Sequence, residues 1–370
     1  MQVATKAIRP EDQGRMDDQH CRACRSVDLT EITVRGSFLE GKDPRHWRDS
    51  LCGACGTVSH HPVSGDVLFD YANSDFRQHG HEVHPPVTLP WATVTFRRHE
   101  HITKLVAPHL PEREGDRPLR HLDFGGYNGF TAYGLRQTMG LRSTIADLDP
   151  TGLRIAKALE MEVISLAEDE LPEDAYDLVT SVHVVEHIDN PLPAIQQIHR
   201  SLTPSSGIFY CEVPNVLGYP MVNVSHLTAF SVEGILRLLE EAGFIALAAG
   251  FCSTPSVARD FHYRHVSPRE AIYVVASTEP ALATEAQRAQ IAGFRSDHAI
   301  GDPGELASAL QTAEARILLH NSMHDLRRGG KAVVRGAYYG VAACLARVVR
   351  SPRVIRLATR FFESFRTRET

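Results

Sequence analysis

The sequence lacks any run of 18 apolar residues, and residues 1–20 contain no apolar stretch of the kind that marks a secretion signal. The first absence excludes an ordinary transmembrane helix, since such a helix needs about 20 apolar residues. The second argues against export. We therefore expect a soluble, cytoplasmic protein.

An excess of basic residues is also missing: 39 Lys and Arg face 45 Asp and Glu, for a net charge of -6. Nucleic acid is therefore not an expected partner. With seven cysteines in 370 residues, the chain is no disulfide scaffold. Hydrophobic residues make up 43% of it, enough to fill one large core or two. Three scattered cysteines have apolar neighbours and are predicted to be free thiols: Cys211, Cys252 and Cys344.

The other four cysteines form two C-x-x-C pairs, "CRAC" and "LCGAC". Two such turns can aim four sulfurs at one point, so the spacing predicts a structural zinc held by Cys21, Cys24, Cys52 and Cys55, with Gly53 relaxing the second turn. Four thiolates fill the coordination shell, so this zinc should not be catalytic. A thiol redox pair is the alternative, but it would need only one C-x-x-C.

The stretch "SVHVVEHI" places His183, Glu186 and His187 in an H-x-x-E-H spacing, which on a helix would indicate a zinc protease. However, "YDLVTSV" before it is typical of a buried strand, and Asn190 with Pro191 predicts that a helix begins after it. The three side chains should therefore lie at a strand end and in the following turn, which disfavours the protease interpretation.

The centre of the chain alternates predicted strands and helices, which indicates a doubly wound sheet with ligands at the carboxyl ends of its strands. The turn "LDFGGYNG" lets the backbone approach a ligand closely, and Asp147 ends the next strand, where an acid can accept both hydroxyls of a ribose.

Residues of about 95–280 resemble a class I S-adenosylmethionine-dependent methyltransferase, through "LDFGGYNG", "ADLDPTGLRIAKAL", the strand block that contains "SVHVVEHI", and "HLTAFSVEGILRLLEEAGF". The resemblance implies an α/β fold with a Rossmann-like seven-stranded sheet. It also implies that Asp123, Gly125 and Gly129 line the methionine part of S-adenosylmethionine and that Asp147 binds its ribose. Tyr127 stands where such enzymes usually have a glycine, so it should also line the cofactor, in a loop that follows a variant path. The usual acid for the adenine amino group is missing, and Glu168 or Asp169 is a substitute.

Two C-x-x-C pairs ahead of such a core resemble the sugar C-methyltransferases that act on nucleotide-linked keto sugars, although this chain lacks their further α/β domain. We expect O-methylation of a sugar hydroxyl in a glycan, glycolipid or glycosylated metabolite. The alternatives are C-methylation of a keto sugar, methylation of RNA ends, and a non-catalytic zinc-ribbon binding module.

Metal-dependent O-methyltransferases carry Glu-x-x-Glu-His where this chain has His183, Glu186 and His187, and His226 in "SHLTAFS" should face the same pocket. Three interpretations stay open. The four residues bind a catalytic divalent metal such as magnesium, manganese or a softer ion. A metal-free histidine acts as general base. The Glu-His pair is purely structural and caps the next helix.

These patterns divide the chain into a zinc-ribbon-like module (1–62), a linker or lid with a lead-in helix (63–110), the methyltransferase core (111–280) and a helical, basic C-terminal extension (281–370). From Arg327 to Arg368 the extension has eleven Lys or Arg and one acid, Glu363. It could lie on the inner face of a membrane as a peripheral contact, or pack on the core or on a second subunit in a homodimer.

Overall fold

We describe a computed structural model of the chain for residues 19–32, 47–62, 89–112, 115–217, 226–252 and 271–299, with Gly304 alone beyond them. The linker expected between residues 63 and 88, Cys344 and the basic segment 327–368 lie outside the described residues. Among the residues that are described, no helix is long and apolar enough to cross a membrane.

Strands β1 (Leu29–Ile32), β2 (Trp47–Cys52) and β3 (Val58–Pro62) form an antiparallel meander. We call residues 19–62 the cysteine module, because each C-x-x-C turn lies directly before or between these strands. Its fourth strand comes from far along the chain: β9 (Thr228–Ala229) pairs with β3 through Val58 and Ser59. The segment that carries His226 is therefore bound to the cysteine module.

Seven strands form the main sheet: β4 (Arg120–Phe124), β5 (Arg142–Asp147), β6 (Glu162–Ser165), β7 (Leu178–Val182), β8 (Ile208–Pro214), β10 (Ile245–Cys252) and β11 (Ala271–Ser277). Their order is β10-β11-β8-β7-β4-β5-β6. β11 runs opposite to the other six strands, so it pairs antiparallel with β10 and with β8, and the remaining pairs are parallel. This mixed α/β sheet confirms the predicted Rossmann-like fold.

Six helices are described: α1 (Leu89–Val106), α2 (Phe130–Met139), α3 (Pro150–Ala158), α4 (Pro191–Ser201), α5 (Val232–Glu241) and α6 (Glu285–Asp297). Side chains cap several of them, as helix starts require. Asp149 accepts the Thr151 N–H, Ser231 accepts that of Gly234, and Thr284 forms a capping box with Gln287. Asn190 occupies the N-cap position of α4 as predicted, but its side chain makes no capping bond.

The core lies on both faces of the main sheet, and every residue of β8 is buried. A strand covered on both sides must be apolar nearly throughout, and "IFYCEVP" obeys this except at Glu212. Cys211 and Cys252 are buried free thiols, as expected. The carboxyl ends of β4, β5, β7 and β8 share one edge of the sheet, since these strands are parallel, and the candidate site lies there.

Candidate functional site

The turn after β4 is shaped by three residues with left-handed backbone: Gly125 (φ 71°), Tyr127 (φ 46°) and Gly129 (φ 75°). The Tyr127 N–H donates to Asp147 Oδ2 at 2.8 Å, so the acid at the end of β5 holds the turn in place. Asp147 Oδ1 accepts the Asp149 N–H at 2.8 Å. The predicted variant path is thus a strained turn, pinned by the same aspartate that is predicted to bind the ribose.

Asp123 lies beneath this turn and is 3% exposed. Burial raises its pKa to about 7, against the opposing hydrogen bond from Thr180, whose Oγ1 lies 2.7 Å from Asp123 Oδ1. A side chain at Gly126 would contact the Asp123 carboxyl, so the glycine keeps the backbone close to it. The carboxyl therefore lies directly against the turn that should receive the cofactor.

Asp169, expected near the adenine, is exposed in the turn after β6, where its N–H donates to Ser165 O at 2.8 Å. The same turn adjoins Asp147, because the Leu166 N–H donates to Asp147 O at 3.0 Å. Asp169 and Asp147 therefore lie at one sheet edge, and the role of Asp169 stays a prediction.

The segment after β7 begins at His183, which has a left-handed backbone (φ 56°) that is uncommon for a residue with a side chain. Its N–H donates to Glu212 O at 2.9 Å. A single 3₁₀ turn, Val185–His187, follows before α4 begins at Pro191. Val184 packs so closely on Gly125 that a Cβ there would overlap it. The H-x-x-E-H stretch is thus a turn, as predicted, and it borders the cofactor turn.

Glu186 is fully buried in this turn, and among the described residues neither of its carboxylate oxygens makes a hydrogen bond of normal geometry. Imidazole nitrogens surround Oε1 instead: His183 Nδ1 at 3.4 Å, His187 Nε2 at 3.8 Å and His226 Nε2 at 4.0 Å. A buried carboxylate without such bonds is costly unless a cation meets it. One ligand atom each from Glu186, His187 and His226 lies within 4.8 Å of the others, close enough to share a metal ion.

His226 is brought to this cluster by the segment before β9, and its ring meets that of His187 edge to face at 4.8 Å. Its pKa falls well below the ordinary value, first because it is buried and then because His187, His183 and His60 add nearby positive charge. A neutral imidazole is the form that binds metals or accepts protons. The structure therefore brings His226 to the Glu-His pair.

His183 is not one of the three residues whose ligand atoms all lie within 4.8 Å of one another, but it bridges two acids: its Nδ1 lies 3.4 Å from Glu186 Oε1 and its Nε2 lies 3.1 Å from Glu212 Oε1. Burial and the charge of Arg98 lower the pKa of His183, but the carboxylates of Glu186 and Glu212 outweigh them and raise it to about 9. His183 is thus an imidazolium at neutral pH, which donates hydrogen bonds and does not ligate metal. Its predicted roles as ligand or base would require loss of that proton.

Sequence reasoning did not single out Glu212, a buried acid in β8 that also accepts from Tyr210 Oη at 2.7 Å and from Arg98 Nη1 at 3.3 Å. Although burial raises the pKa of Glu212, Arg98, His183 and Tyr210 together lower it well below its ordinary value. Its ionised carboxylate holds His183. The available signal was an acid within an otherwise apolar strand.

The four paired cysteines meet, with Sγ–Sγ distances of 3.7 Å for Cys21–Cys55 and 3.6 Å for Cys24–Cys52. A tetrahedral zinc with bonds of about 2.3 Å would space its sulfurs about 3.8 Å apart, so the geometry is compatible with structural zinc. Hydrogen bonds among the thiols, foremost with Cys21, lower the pKa of Cys24 and raise that of Cys55. A cation would let all four ionise.

The two cysteine turns have matching backbones: Arg25 and Gly56 donate their N–H groups to Cys21 O and Cys52 O at 2.9 and 2.7 Å. Both donors have positive φ, 61° and 71°. The glycine that relaxes the second turn is therefore Gly56, which corrects the expectation for Gly53. Gly53 instead makes room for Asp28, whose side chain a Cβ there would overlap.

Comparison with known proteins adds one informative match. Residues 94–249 match a sequence-family model described as "Methyltransferase domain". No curated protein matches the chain. Similar solved structures include a 1,6-didemethyltoxoflavin-N1-methyltransferase from Burkholderia thailandensis (17% identity, 66% of this chain and 100% of that chain, TM-score 0.43). Others are S-adenosylmethionine-dependent methyltransferases from Thermotoga maritima (15%, 55% and 98%, 0.42) and Mesorhizobium loti (16%, 47% and 95%, 0.37). The finding that bears on function is therefore the match of residues 94–249 to the methyltransferase-domain model.

Proposed function

We propose that this chain is an S-adenosylmethionine-dependent methyltransferase that O-methylates a sugar hydroxyl with the help of a divalent cation. The match of residues 94–249 to a methyltransferase-domain model supports the methyl-transfer part of the proposal. The acceptor would be a glycan, a glycolipid or a glycosylated metabolite. Bound S-adenosylmethionine supplies an electrophilic methyl group. The protein must hold the acceptor oxygen in line with that group and help to remove its proton.

The cofactor would lie on the turn after β4. Gly125 and Gly129 keep the backbone free of side chains at its bend, and Asp147 at the end of β5 suits a ribose. The contact of Val184 with Gly125 ties this turn to the segment that carries Glu186 and His187. Cofactor and acceptor sites would then share one wall.

The observation that carries the cation proposal is Glu186. Its carboxylate is fully buried and makes no hydrogen bond of normal geometry among the described residues, although His183 Nδ1 lies 3.4 Å from Oε1. One ligand nitrogen each of His187 and His226 lies within 4.8 Å of a carboxylate oxygen and of each other. One carboxylate and two imidazoles leave coordination positions open for an acceptor hydroxyl. A cation there lowers the pKa of the hydroxyl that it binds. Two nitrogen ligands favour manganese, cobalt or zinc over magnesium.

The sugar class is supported by the resemblance of the paired cysteines and core to sugar methyltransferases. Vicinal sugar hydroxyls can also occupy two open positions of one cation. Comparing the glycans and metabolites of a deletion strain with those of its parent tests this choice. A carbohydrate that lacks the mass of one CH2 group supports the proposal, and a difference confined to RNA ends contradicts it.

A metal-free base is the second candidate: His226 lies beside Glu186 and is unprotonated because burial lowers its pKa well below the ordinary value, although the same shift weakens it as a proton acceptor. C-methylation of a keto sugar would use such a base. A chelator that spares the four-cysteine zinc separates the two candidates. Loss of methyl transfer and its recovery with added Mn²⁺ support the cation, whereas full activity without any second metal supports the base.

A further inference from the structure

We propose that Arg22, which lies between two cysteines of the zinc site, is a positioning residue for the acceptor site. Its guanidinium holds the segments of His187 and His226 at the separation that one shared cation requires. The inference rests on the proposed function, because it explains how the Glu186–His187–His226 cation site is assembled. The structural zinc supports the reaction through Arg22, although its four ligands are separate from those of the cation.

The guanidinium of Arg22 is buried, and each of its nitrogens donates a hydrogen bond. Nη1 donates to His60 O at 3.0 Å and to Leu227 O at 3.3 Å. Nε donates to Asp189 O at 3.1 Å, and Nη2 donates to Asp189 Oδ1 at 2.9 Å. The side chains of Arg22 and Asp189 are 2% and 22% exposed, so salt and water screen their ion pair weakly. Charge-assisted bonds of this kind are short and strong. Arg22 therefore fixes the backbone at all three acceptor residues.

Two of these acceptors are close to the cation ligands in the chain. Asp189 is the second residue after His187, and Leu227 directly follows His226. The two ligand segments come from different parts of the chain, yet the rings of His187 and His226 meet edge to face at 4.8 Å. One guanidinium therefore joins both segments near the point where their imidazoles converge.

Both ligand segments need support from elsewhere in the fold. Val185–His187 is a single 3₁₀ turn, and the β9 strand that follows His226 has only two residues. Elements this short gain little stability from their own hydrogen bonds. The cysteine module supplies support to both, because β9 pairs with β3 and Arg22 reaches Asp189. The position of His187 relative to His226 therefore depends on Arg22.

The zinc site fixes the point from which the Arg22 side chain extends. Cys21 and Cys24, on either side of Arg22, both belong to the group of four sulfurs. The Arg25 N–H closes the same turn by donating to Cys21 O at 2.9 Å. A metal bound to both cysteines holds the backbone between them, and with it the direction of the Arg22 side chain. Zinc binding therefore stabilises the cation site at a distance.

The shape of the guanidinium matters as well as its charge, because different nitrogens serve different segments. Nη1 serves the Leu227 carbonyl, whereas Nε and Nη2 serve Asp189. A lysine at this position keeps the charge beside the four sulfurs, but its single nitrogen can serve only one of the two segments. Arg22→Lys should therefore free one ligand segment and leave the zinc site intact.

The test titrates Co²⁺ into the full-length, zinc-loaded chain by calorimetry, and compares wild type with Arg22→Lys. Since losing a group that supports the ligands weakens metal sites about 10–100-fold, we expect Co²⁺ to bind the variant at least about tenfold more weakly. The visible spectrum of bound Co²⁺ should also change, because fewer of the three side chains reach the ion. S-adenosylmethionine should bind both proteins equally, since the described partners of Arg22 lie outside the turn after β4. A purely structural residue would lower the melting temperature and change neither binding measurement.

Asp189→Ala is the second variant, because it removes one acceptor of Arg22 and leaves the cysteine turn unchanged. It should weaken Co²⁺ binding in the same way, and it decides the question if Arg22→Lys loses its zinc. Arg25→Lys is the matched control. Arg25 lies in the same turn, but it is exposed and its Nη1 lies 3.5 Å from Asn190 Oδ1. This variant should bind Co²⁺ as wild type does.

Zinc analysis verifies that each variant keeps the cysteine module folded. Unchanged Co²⁺ affinity and spectrum in zinc-loaded Arg22→Lys and Asp189→Ala overturn the inference alone. An equal loss of Co²⁺ and S-adenosylmethionine binding also overturns it, because the effect would then be general. A wild type that binds no second metal overturns the proposed cation and the inference with it.

Discussion

Replacing Glu186 with glutamine should stabilise the protein when no second metal is present, and abolish its stabilisation by added metal. The substitution preserves the volume and removes one buried charge. Among the described residues the carboxylate makes no hydrogen bond of normal geometry, and its nearest charge partner is His183 Nδ1 at 3.4 Å. His183 keeps Glu212 as a partner after the change.

The expected change in the free energy of unfolding is the difference between the attraction of the two charges and the cost of removing them from water. At an effective dielectric constant of about 20, the attraction between charges 3.4 Å apart is about 5 kcal/mol, and desolvating the buried pair costs a similar amount. Replacing both members of such a pair by neutral groups is often stabilising by about 1–4 kcal/mol, whereas removing one member costs about 3–5 kcal/mol when the other charge is left buried without a partner. Here the charge of His183 is not left alone, because Glu212 Oε1 lies 3.1 Å from its Nε2. We expect about 1–2 kcal/mol for Glu186→Gln, because its amide can donate to a neutral His226. At about 2.1 cal/mol/K of unfolding entropy per residue, the melting temperature should rise by about 1–3 °C.

Added metal should reverse the order of stability. A ligand at about 100 times its dissociation constant stabilises the folded state by about 2.7 kcal/mol. Wild type should therefore become the more stable protein in Co²⁺ or Mn²⁺, and the variant should not respond. Differential scanning calorimetry of both zinc-loaded proteins, with and without the second metal, measures all four values.

A variant that is clearly less stable than wild type without metal would refute this reasoning. That result would mean that the carboxylate makes favourable contacts with the folded protein alone, as the structural interpretation of the Glu-His pair requires. If added Co²⁺ or Mn²⁺ stabilised wild type and Glu186→Gln equally, the metal would bind at a site that does not include Glu186.

Three further predictions test other parts of the site. Cys55→Ser should lose the structural zinc and unfold at a lower temperature. Zinc analysis and calorimetry measure the two effects. A variant that keeps its full zinc content would contradict the four-sulfur site. Gly125→Ala should weaken S-adenosylmethionine binding at least about tenfold, because a Cβ strains φ 71° and overlaps Val184. Gly115→Ala, which has φ 62° but no atom within 4 Å of its Cβ, is the matched control for calorimetric titration and should bind normally. His183, whose pKa rises from 6.5 to about 9, should contribute about 3 kcal/mol that is fully present below pH 6.5 and is lost as the pH rises through 9. Urea unfolding at pH 6 and 9.5 should show this loss in wild type and not in His183→Gln.

The sequence predicted those features that follow from local patterns. Alternating strands and helices placed Gly125, Asp147 and Glu186 at one sheet edge, since parallel strands end together. The C-x-x-C spacing brought four sulfurs to one point. In each case the residues of the site are a few positions apart in the sequence or lie at the ends of neighbouring parallel strands, so the order of the strands is enough to bring them together.

Other features depend on contacts between distant segments. The pairing of β3 with β9 sets His60 beside the segment of His226, and no pattern in either stretch predicts it. The sequence around Arg22 predicts an ordinary surface charge between two cysteines. The side chain is instead 1% exposed and donates hydrogen bonds to His60, Leu227 and Asp189, which lie in three different segments. The protonation of His183 also depends on Glu212, a residue of another strand. Such long-range charge pairs cannot be read from residue spacing.

Anomalous diffraction from Co²⁺-soaked crystals of the zinc-loaded protein tests the central claim most directly. The account predicts two separate metals: zinc among Cys21, Cys24, Cys52 and Cys55, and cobalt bound by Glu186, His187 and His226. A zinc peak at the cysteines with no cobalt at Glu186, from crystals soaked at a Co²⁺ concentration that saturates binding in solution, would contradict it.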